Sequence, residues 1–102
     1  MTRVPGATDG IEGVKTDIRN LATMMEAFRH RHGRYPADFF EVRATWPSHE
    51  FHGGGAEVES RAEGFRIAAW NSALLPGPHR CTMRTGSLAM EAGVESGRLI
   101  VE

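Results

Sequence analysis

Residues 11–32 of the chain read IEGVKTDIRNLATMMEAFRHRH. Seven apolar side chains recur in this stretch at steps of three and four residues, which places them on one side of a 3.6-residue helix. They are Ile11, Val14, Ile18, Leu21, Ala22, Met25 and Phe28. The stretch predicts a long amphipathic helix whose apolar stripe is buried. We interpret the stripe as core, because it offers neither a ligand nor a nucleophile.

Both ends of this helix carry signals of their own. Asp9 followed by Glu12 resembles a capping box, in which a side-chain oxygen accepts from the first free amides of a helix. Gly33 can adopt the left-handed conformation that ends a helix, and Pro36 prevents its continuation. Residues 1–10 contain Pro5 and two glycines without periodicity, so we predict a flexible leader, or an extension foreign to the domain, before a single domain over 11–102.

The second half of the chain changes to the two-residue period of strands. Residues 57–62 and 65–70 alternate on either side of a Glu-Gly turn and predict a β-hairpin. Residues 80–84 predict a third antiparallel strand, 98–102 have strand-like composition, and 88–94 could form a loop or a short helical turn. Residues 39–55 read as a connecting loop with apolar anchors. The predicted fold is α+β, a long N-terminal helix packed on a three- or four-stranded antiparallel sheet.

Charges on the predicted strands are complementary. Glu57 and Glu59 on one outer strand and Arg80 and Arg84 on the other would flank Arg66 on the central strand. We expect this face of the sheet to be open to solvent or to a partner.

Two large amphipathic side chains stand near the predicted interface of helix and sheet. We expect Tyr35 and Trp70 to seal the helix to the sheet, with an exposed contact to a neighbouring subunit as the alternative.

The composition is that of an ordinary globular domain. The chain has 102 residues, 40% of them hydrophobic and 25% charged, and a formal net charge of −1. This charge creates no overall field that would attract nucleic acid or an anionic membrane. The single cysteine, Cys81, excludes an intramolecular disulfide. No run of apolar residues reaches the roughly 18 needed to span a bilayer.

Residues 15–28, together with Gly33, Tyr35 and Pro36, resemble the second half of the long helix in type IV pilins and type II secretion pseudopilins. The resemblance continues into residues 63–70, which are similar to the sheet segment of that family, and covers about 10–84. It implies a structural subunit of a pilus or of a secretion pseudopilus. It also implies a hydrophobic helix ahead of the domain, for polymerisation and membrane anchoring. Residues 1–10 do not resemble that helix. We therefore expect either that this sequence is a shortened form of the native subunit or that the protein has lost the anchor and no longer polymerises in the manner of the family. The frequent C-terminal disulfide of the family cannot form here.

From this resemblance we expect the chain to be the globular head of a filament subunit in the cell envelope or in an extracellular filament, anchored in the inner membrane before assembly. Its partners would be copies of itself or related subunits and the assembly or secretion machinery. We predict no enzymatic activity, no cofactor, no small-molecule substrate and no nucleic-acid partner. Whether the subunit is major or minor stays open.

A cluster of basic residues at the end of the helix is the candidate interaction patch. Arg29, Arg31 and Arg34 could contact phosphate groups or an acidic neighbour. Cations at a helix C-terminus are also stabilised by the helix dipole, and we favour that interpretation.

Histidines offer two weaker hypotheses. His49 and His52 are three residues apart, whereas helical zinc motifs need four, so an exposed loop is favoured over a zinc-dependent hydrolase. His79 and Cys81 would share a strand face, but two ligands are too few for a metal site, and a buried thiol is favoured. The second functional hypothesis is a surface or periplasmic protein-binding module that uses the open sheet face or the loops 46–55 and 71–78.

Overall fold

The computed structural model of the chain describes residues 9–52 and 54–102, with only the backbone of Asp9. The elements in chain order are α1 (Asp9–His32), α2 (Phe39–Thr45), β1 (Gly55–Arg61), β2 (Gly64–Trp70), a 3-10 turn (Ser72–Leu74), β3 (Arg80–Arg84), α3 (Gly86–Ala92) and β4 (Leu99–Val101). The four strands form one antiparallel meander in the order β1-β2-β3-β4. The predicted α+β fold, a long N-terminal helix on an antiparallel sheet, is confirmed.

Helix α1 begins at Asp9, two residues before the predicted start at Ile11. Residues 1–8, where the leader is predicted, and the proposed Asp9 cap lie outside the described part. The apolar stripe is buried as predicted. Four of its residues are fully enclosed and Phe28 nearly so, while Ile11 and Ala22 pack at the border of the core; the four are Val14, Ile18, Leu21 and Met25. Gly33, at φ 77°, follows the helix in the left-handed region as predicted.

One face of the sheet packs against α1. Successive residues of a strand point to opposite faces, and the odd-numbered residues of β2 and β3 enter the same core as the helix stripe. These are Phe65, Ile67, Ala69, Cys81 and the partly buried Met83. The register places Ile67 opposite both Val58 and Met83, so three strands contribute apolar side chains under the helix.

The sequence suggested that the opposite face of the sheet is open, but part of this face is buried. Ala68 and Thr82 point away from α1 yet are buried. Helix α3 packs against β2, and its buried Leu88 and Ala89 do not belong to the core under α1. We infer that α3 covers this part of the face. The prediction was wrong here because a seven-residue helix leaves little periodic signal in the sequence.

The exposed remainder of this face carries the predicted charge network. The guanidinium of Arg66 donates to Glu57 Oε1 at 2.8 Å and to Glu59 Oε1 at 3.0 Å, and Arg80 donates to the same Glu57 oxygen at 2.8 Å. These hydrogen bonds lower the pKa of both carboxyl groups. Arg84, which was expected to join, pairs with no acidic residue of the described chain.

The prediction for Trp70 was wrong, and that for Tyr35 is confirmed. Trp70 shares the face of Arg66, with its ring against Gly55 and the Arg80 guanidinium 5.1 Å from the ring centroid. Tyr35 is buried edge-on to Phe65, with ring centroids 5.1 Å apart.

The predicted loop over 39–55 contains a helix. Asp38 caps α2 by accepting from the amide of Glu41 at 2.9 Å, and Val42 is buried in the core. Helix α3 confirms the helical alternative for 88–94. Strand β4 pairs with β3, which confirms the predicted final strand.

Candidate functional site

Among the clefts in the described part of the chain, two lie at the ends of the segment that joins α1 to β1. The smaller, of about 430 Å³, lies beside the C-terminus of α1 and is lined by Arg29, Gly33, Arg34, Tyr35 and Arg61. It therefore brings together Arg29 and Arg34, two of the three arginines of the predicted patch. Gly33 and Tyr35, two of the residues on which the family resemblance rests, lie beside them.

The Tyr35 hydroxyl forms hydrogen bonds with two side chains near the end of α1. The Tyr35 hydroxyl donates to Glu26 Oε2 and accepts from Arg29 Nη1, each at 3.0 Å. Burial raises the pKa of the hydroxyl. Pro36 is buried, and its carbonyl accepts from the Ser60 hydroxyl on β1. The residues that carry the resemblance thus join the helix end to the edge of the sheet.

Most positive charge of the predicted patch is engaged within the chain. Arg34 donates to both oxygens of Glu41 at 2.8 Å, which lowers the pKa of that carboxyl to about 2. Arg29 contacts Tyr35, and Arg61 pairs with Glu59 at 2.9 Å. Arg31 is exposed and pairs with nothing in the described chain. The patch as a binding surface stays a prediction, with Arg31 as its available cation.

The larger cleft, of about 510 Å³, lies between α2 and the start of β1. Its walls are aromatic: Phe39 and His49 each meet Phe51 edge-on, with ring centroids 5.3 and 4.5 Å apart. Arg43 and Glu50 also line the cleft. Most residues that line the cleft belong to the loop 46–55, which the sequence nominated for partner binding, and we call it the aromatic cleft.

The polar groups of the aromatic cleft are incompletely paired. Arg43 is exposed, with its guanidinium carbon 5.9 Å from the Phe39 ring centroid, and it has no acidic partner among the described residues. His49 Nε2 is buried and forms no hydrogen bond with the described chain. A cleft with aromatic walls and an available cation suits an apolar group that carries a negative charge.

A buried carboxylate, Asp17, was missed by the sequence reasoning. Its Oδ1 accepts from the His52 backbone amide at 2.8 Å and lies 2.9 Å from His52 Nδ1. The chain at His52 lies close to α1, since a Cβ added at Gly13 would be 3.0 Å from the His52 Cβ. The signal was present, because Asp17 is an acid on the same helical side as Val14, Ile18 and Leu21. The pair fastens the end of the 46–52 loop to α1.

The predicted histidine sites are not brought together as metal ligands. Within 9–52 and 54–102, no group of three or more histidine, cysteine, aspartate or glutamate side chains is placed to hold an ion. Cys81 is fully buried, as expected, and burial raises the pKa of its thiol. The His79 ring instead lies 3.1 Å from the carbonyl of Gly77.

Two apolar side chains stand out of the described surface almost completely. Phe40 on α2 is 81% exposed and Met90 on α3 is 83% exposed. Exposed side chains of this size on a small domain are candidates for contacts with a partner.

Comparisons with models of known protein families, with curated proteins and with solved structures return no match. Within the described residues, no helix is both long and apolar enough to cross a lipid bilayer.

Proposed function

We propose that this chain is the globular head of a filament subunit similar to type IV pilins and type II secretion pseudopilins. The observation that carries the proposal is α1 itself, a continuous 24-residue helix packed along an antiparallel meander. At 1.5 Å per residue it is about 36 Å long. The resemblance over 15–36 assigns this architecture to subunits that polymerise through their helices.

The way in which α1 is held suits a part that transmits load. Its buried side chains extend from Val14 to Phe28, so the helix is attached to the sheet over four turns rather than at one point. At its far end Tyr35 and Pro36 connect it to β1. A force applied along the helix would reach the sheet through many contacts at once, as a filament requires.

The proposal is tested by locating the native protein in its source cell. Filaments sheared from the surface are compared with the cytosol by an antibody against the folded domain, and the intact mass is measured in both fractions. We expect a larger species in the sheared fraction, extended by a hydrophobic helix ahead of Ile11. A cytosolic species that starts at Met1 and is absent from the sheared fraction would contradict the filament function.

A second candidate function is a surface or periplasmic protein-binding module, and the aromatic cleft is the observation that favours it. A photo-activated cross-linking side chain placed at the exposed Ser48, on the cleft wall, separates the two in cells. Adducts with further copies of the chain support the filament subunit. Adducts with one unrelated protein, identified by mass spectrometry, support the binding module.

A further inference from the structure

We propose that the aromatic cleft of one copy receives Met90 and Glu91 of the next copy. This inference rests on the proposed filament function and names the surfaces through which neighbouring heads meet. Three observations carry it: an aromatic cleft with an available cation, a protruding methionine beside available acids, and the separation of the two on the molecule.

The receiving surface has aromatic walls and carries one positive side chain, Arg43, and one negative side chain, Glu50. Its volume of about 510 Å³ lies within the range of pockets that enclose whole ligands, so a methionine side chain and part of its helix turn can enter. The rings of Phe39, His49 and Phe51 meet edge-on and form the wall. Arg43 is exposed beside them and pairs with no acid in the described chain.

The inserted surface is a short helix with an outward methionine. On α3, Leu88 and Ala89 point inward and are buried, whereas Met90 points outward. The segment 86–97 contains Glu91 and Glu95 and neither lysine nor arginine. Both acids are exposed and have no ion-pair partner among the described residues, so this surface is apolar and negative.

The two surfaces match in chemistry. A thioether makes favourable contacts with aromatic rings and adapts its shape to an irregular cleft. A glutamate can form charge-assisted hydrogen bonds with a guanidinium. Met90 can therefore pack against the Phe51 ring, and Glu91 can pair with the Arg43 guanidinium.

The positions of the two surfaces make the contact head-to-tail. The cleft lies between α2 and β1, whereas α3 packs against β2. Met90 is almost wholly exposed, so a copy does not fill its own cleft. Because the donating and receiving surfaces differ, each bound copy leaves one of each available, and such contacts build an open chain unless they close into a ring.

Glu50 is the one acidic residue among the described residues that line the cleft, and it opposes the entry of Glu91. Neutralising it in Glu50→Gln should tighten the association, an effect opposite in sign to that of the other substitutions.

The decisive experiment is a charge exchange between two variants, followed by sedimentation equilibrium of this chain at low ionic strength up to about 1 mM, the range of weak contacts. Arg43→Glu and Glu91→Arg each place like charges across the contact, so each variant alone should be monomeric. Their equimolar mixture restores an opposite pair at both kinds of junction and should associate as the unmodified chain does, more weakly as salt is added.

The apolar part is tested by Met90→Ala, which should raise the dissociation constant about tenfold, as expected for an anchor residue. Leu75→Ala is the matched control, since Leu75 is also an exposed apolar residue, at 54%, and lies outside both surfaces. Circular dichroism of each variant checks that the fold is retained, which is expected because the substituted side chains are exposed.

The inference is overturned if the unmodified chain stays monomeric over this concentration range, if the mixture of charge variants fails to associate, or if Leu75→Ala weakens association as much as Met90→Ala. This failure is distinct from that of the filament function. If the heads are monomeric but the protein is found in sheared filaments, the proposed contact is refuted and the filament function is retained. If the heads associate through the cleft but the protein is confined to the cytosol, the proposed contact is retained and the filament function is refuted.

Discussion

The two faces of the sheet are stabilised by different means. Under α1, large apolar side chains such as Phe65 and Ile67 meet the helix stripe in one continuous core. On the opposite face, the small Ala68 lies beneath α3, and the remainder is an exposed network of charges around Arg66. The first face gains stability from buried apolar area, and the second from close backbone packing and partly solvated ion pairs.

This difference predicts a graded response to mutation. Changes under α1 should threaten the fold, changes at the junction with α3 should cost several kcal/mol only where backbone atoms approach closely, and changes in the charge network should be mild. Three substitutions test this order, each with a matched control.

The largest effect is expected for Leu21→Asp. Leu21 is fully buried in the stripe, so aspartate would place an unpaired charge in the core and cost more than about 4 kcal/mol, comparable to the whole stability of a small domain. Thr23→Asp, at an exposed position of the same helix, should change stability by less than about 1 kcal/mol. The measurement is urea unfolding followed by circular dichroism. Cooperative unfolding of Leu21→Asp near the unmodified midpoint would refute the helix-on-sheet core.

The intermediate effect is expected at the junction between the hairpin and α3. Gly86 has φ 56°, and a Cβ there would lie 1.6 Å from the carbonyl oxygen of Glu63. Gly93 has φ 69°, and a Cβ there would meet nothing within 4 Å. Gly93→Ala should cost about 1 kcal/mol for the left-handed conformation alone. Gly86→Ala should cost at least about 3 kcal/mol, because backbone atoms must also separate.

Thermal unfolding distinguishes these two variants, since about 1 kcal/mol corresponds to a change in Tm of roughly 4–8 °C in a domain of this size. Equal changes in Tm for Gly86→Ala and Gly93→Ala would show that α3 does not approach the turn at Glu63 as closely as described.

The smallest effect is expected for Arg66→Gln. The Arg66 side chain is 22% exposed and its glutamate partners are more exposed, so its loss should cost about 1 kcal/mol at neutral pH. Because Arg66 lowers the pKa of Glu57 and Glu59, this contribution is present above their unfolded pKa and is lost as the pH falls through the folded values. The difference in unfolding free energy between the two proteins should therefore shrink on acidification.

Arg84→Gln is the control for the charge network, since Arg84 lies on the same face without an acidic partner in the described chain. A pH-dependent loss of the same size in this variant would show that the effect arises from overall charge rather than from the pairs with Arg66.

Regular, long elements were predictable from the sequence, and short ones were not. The stripe of α1 and the hairpin β1–β2 follow from periodicities that extend over many residues, and the end of the helix follows from the conformational freedom of Gly33. Helices α2 and α3 have seven residues each, about two turns, which is too short for a clear period. Trp70 was assigned to the wrong face because its size suggested the core, although alternation with Ile67 and Ala69 already placed it opposite.

The candidate site was predictable only as a region. The loop 46–55 was nominated for binding, but nothing in its sequence indicates that Phe39 comes from a preceding helix to meet Phe51. Likewise, Asp17 was visible as an acid within an apolar stripe, while its partner His52 is 35 residues away in sequence. Contacts of this range depend on how the chain returns, and periodicity carries no information about that.

The sequence by itself determined that residues 11–32 form an amphipathic helix and that alternating segments after residue 55 form an antiparallel sheet, because these properties depend on neighbours a few positions apart. Only the tertiary structure decided that α3 covers the second face of the sheet, that Asp17 holds the loop at His52, and that an aromatic cleft opens beside Arg43. The physical reason is that each of these features requires contact between two segments that are far apart in the sequence. The free energy of such a contact depends on shape complementarity and buried area rather than on local sequence pattern.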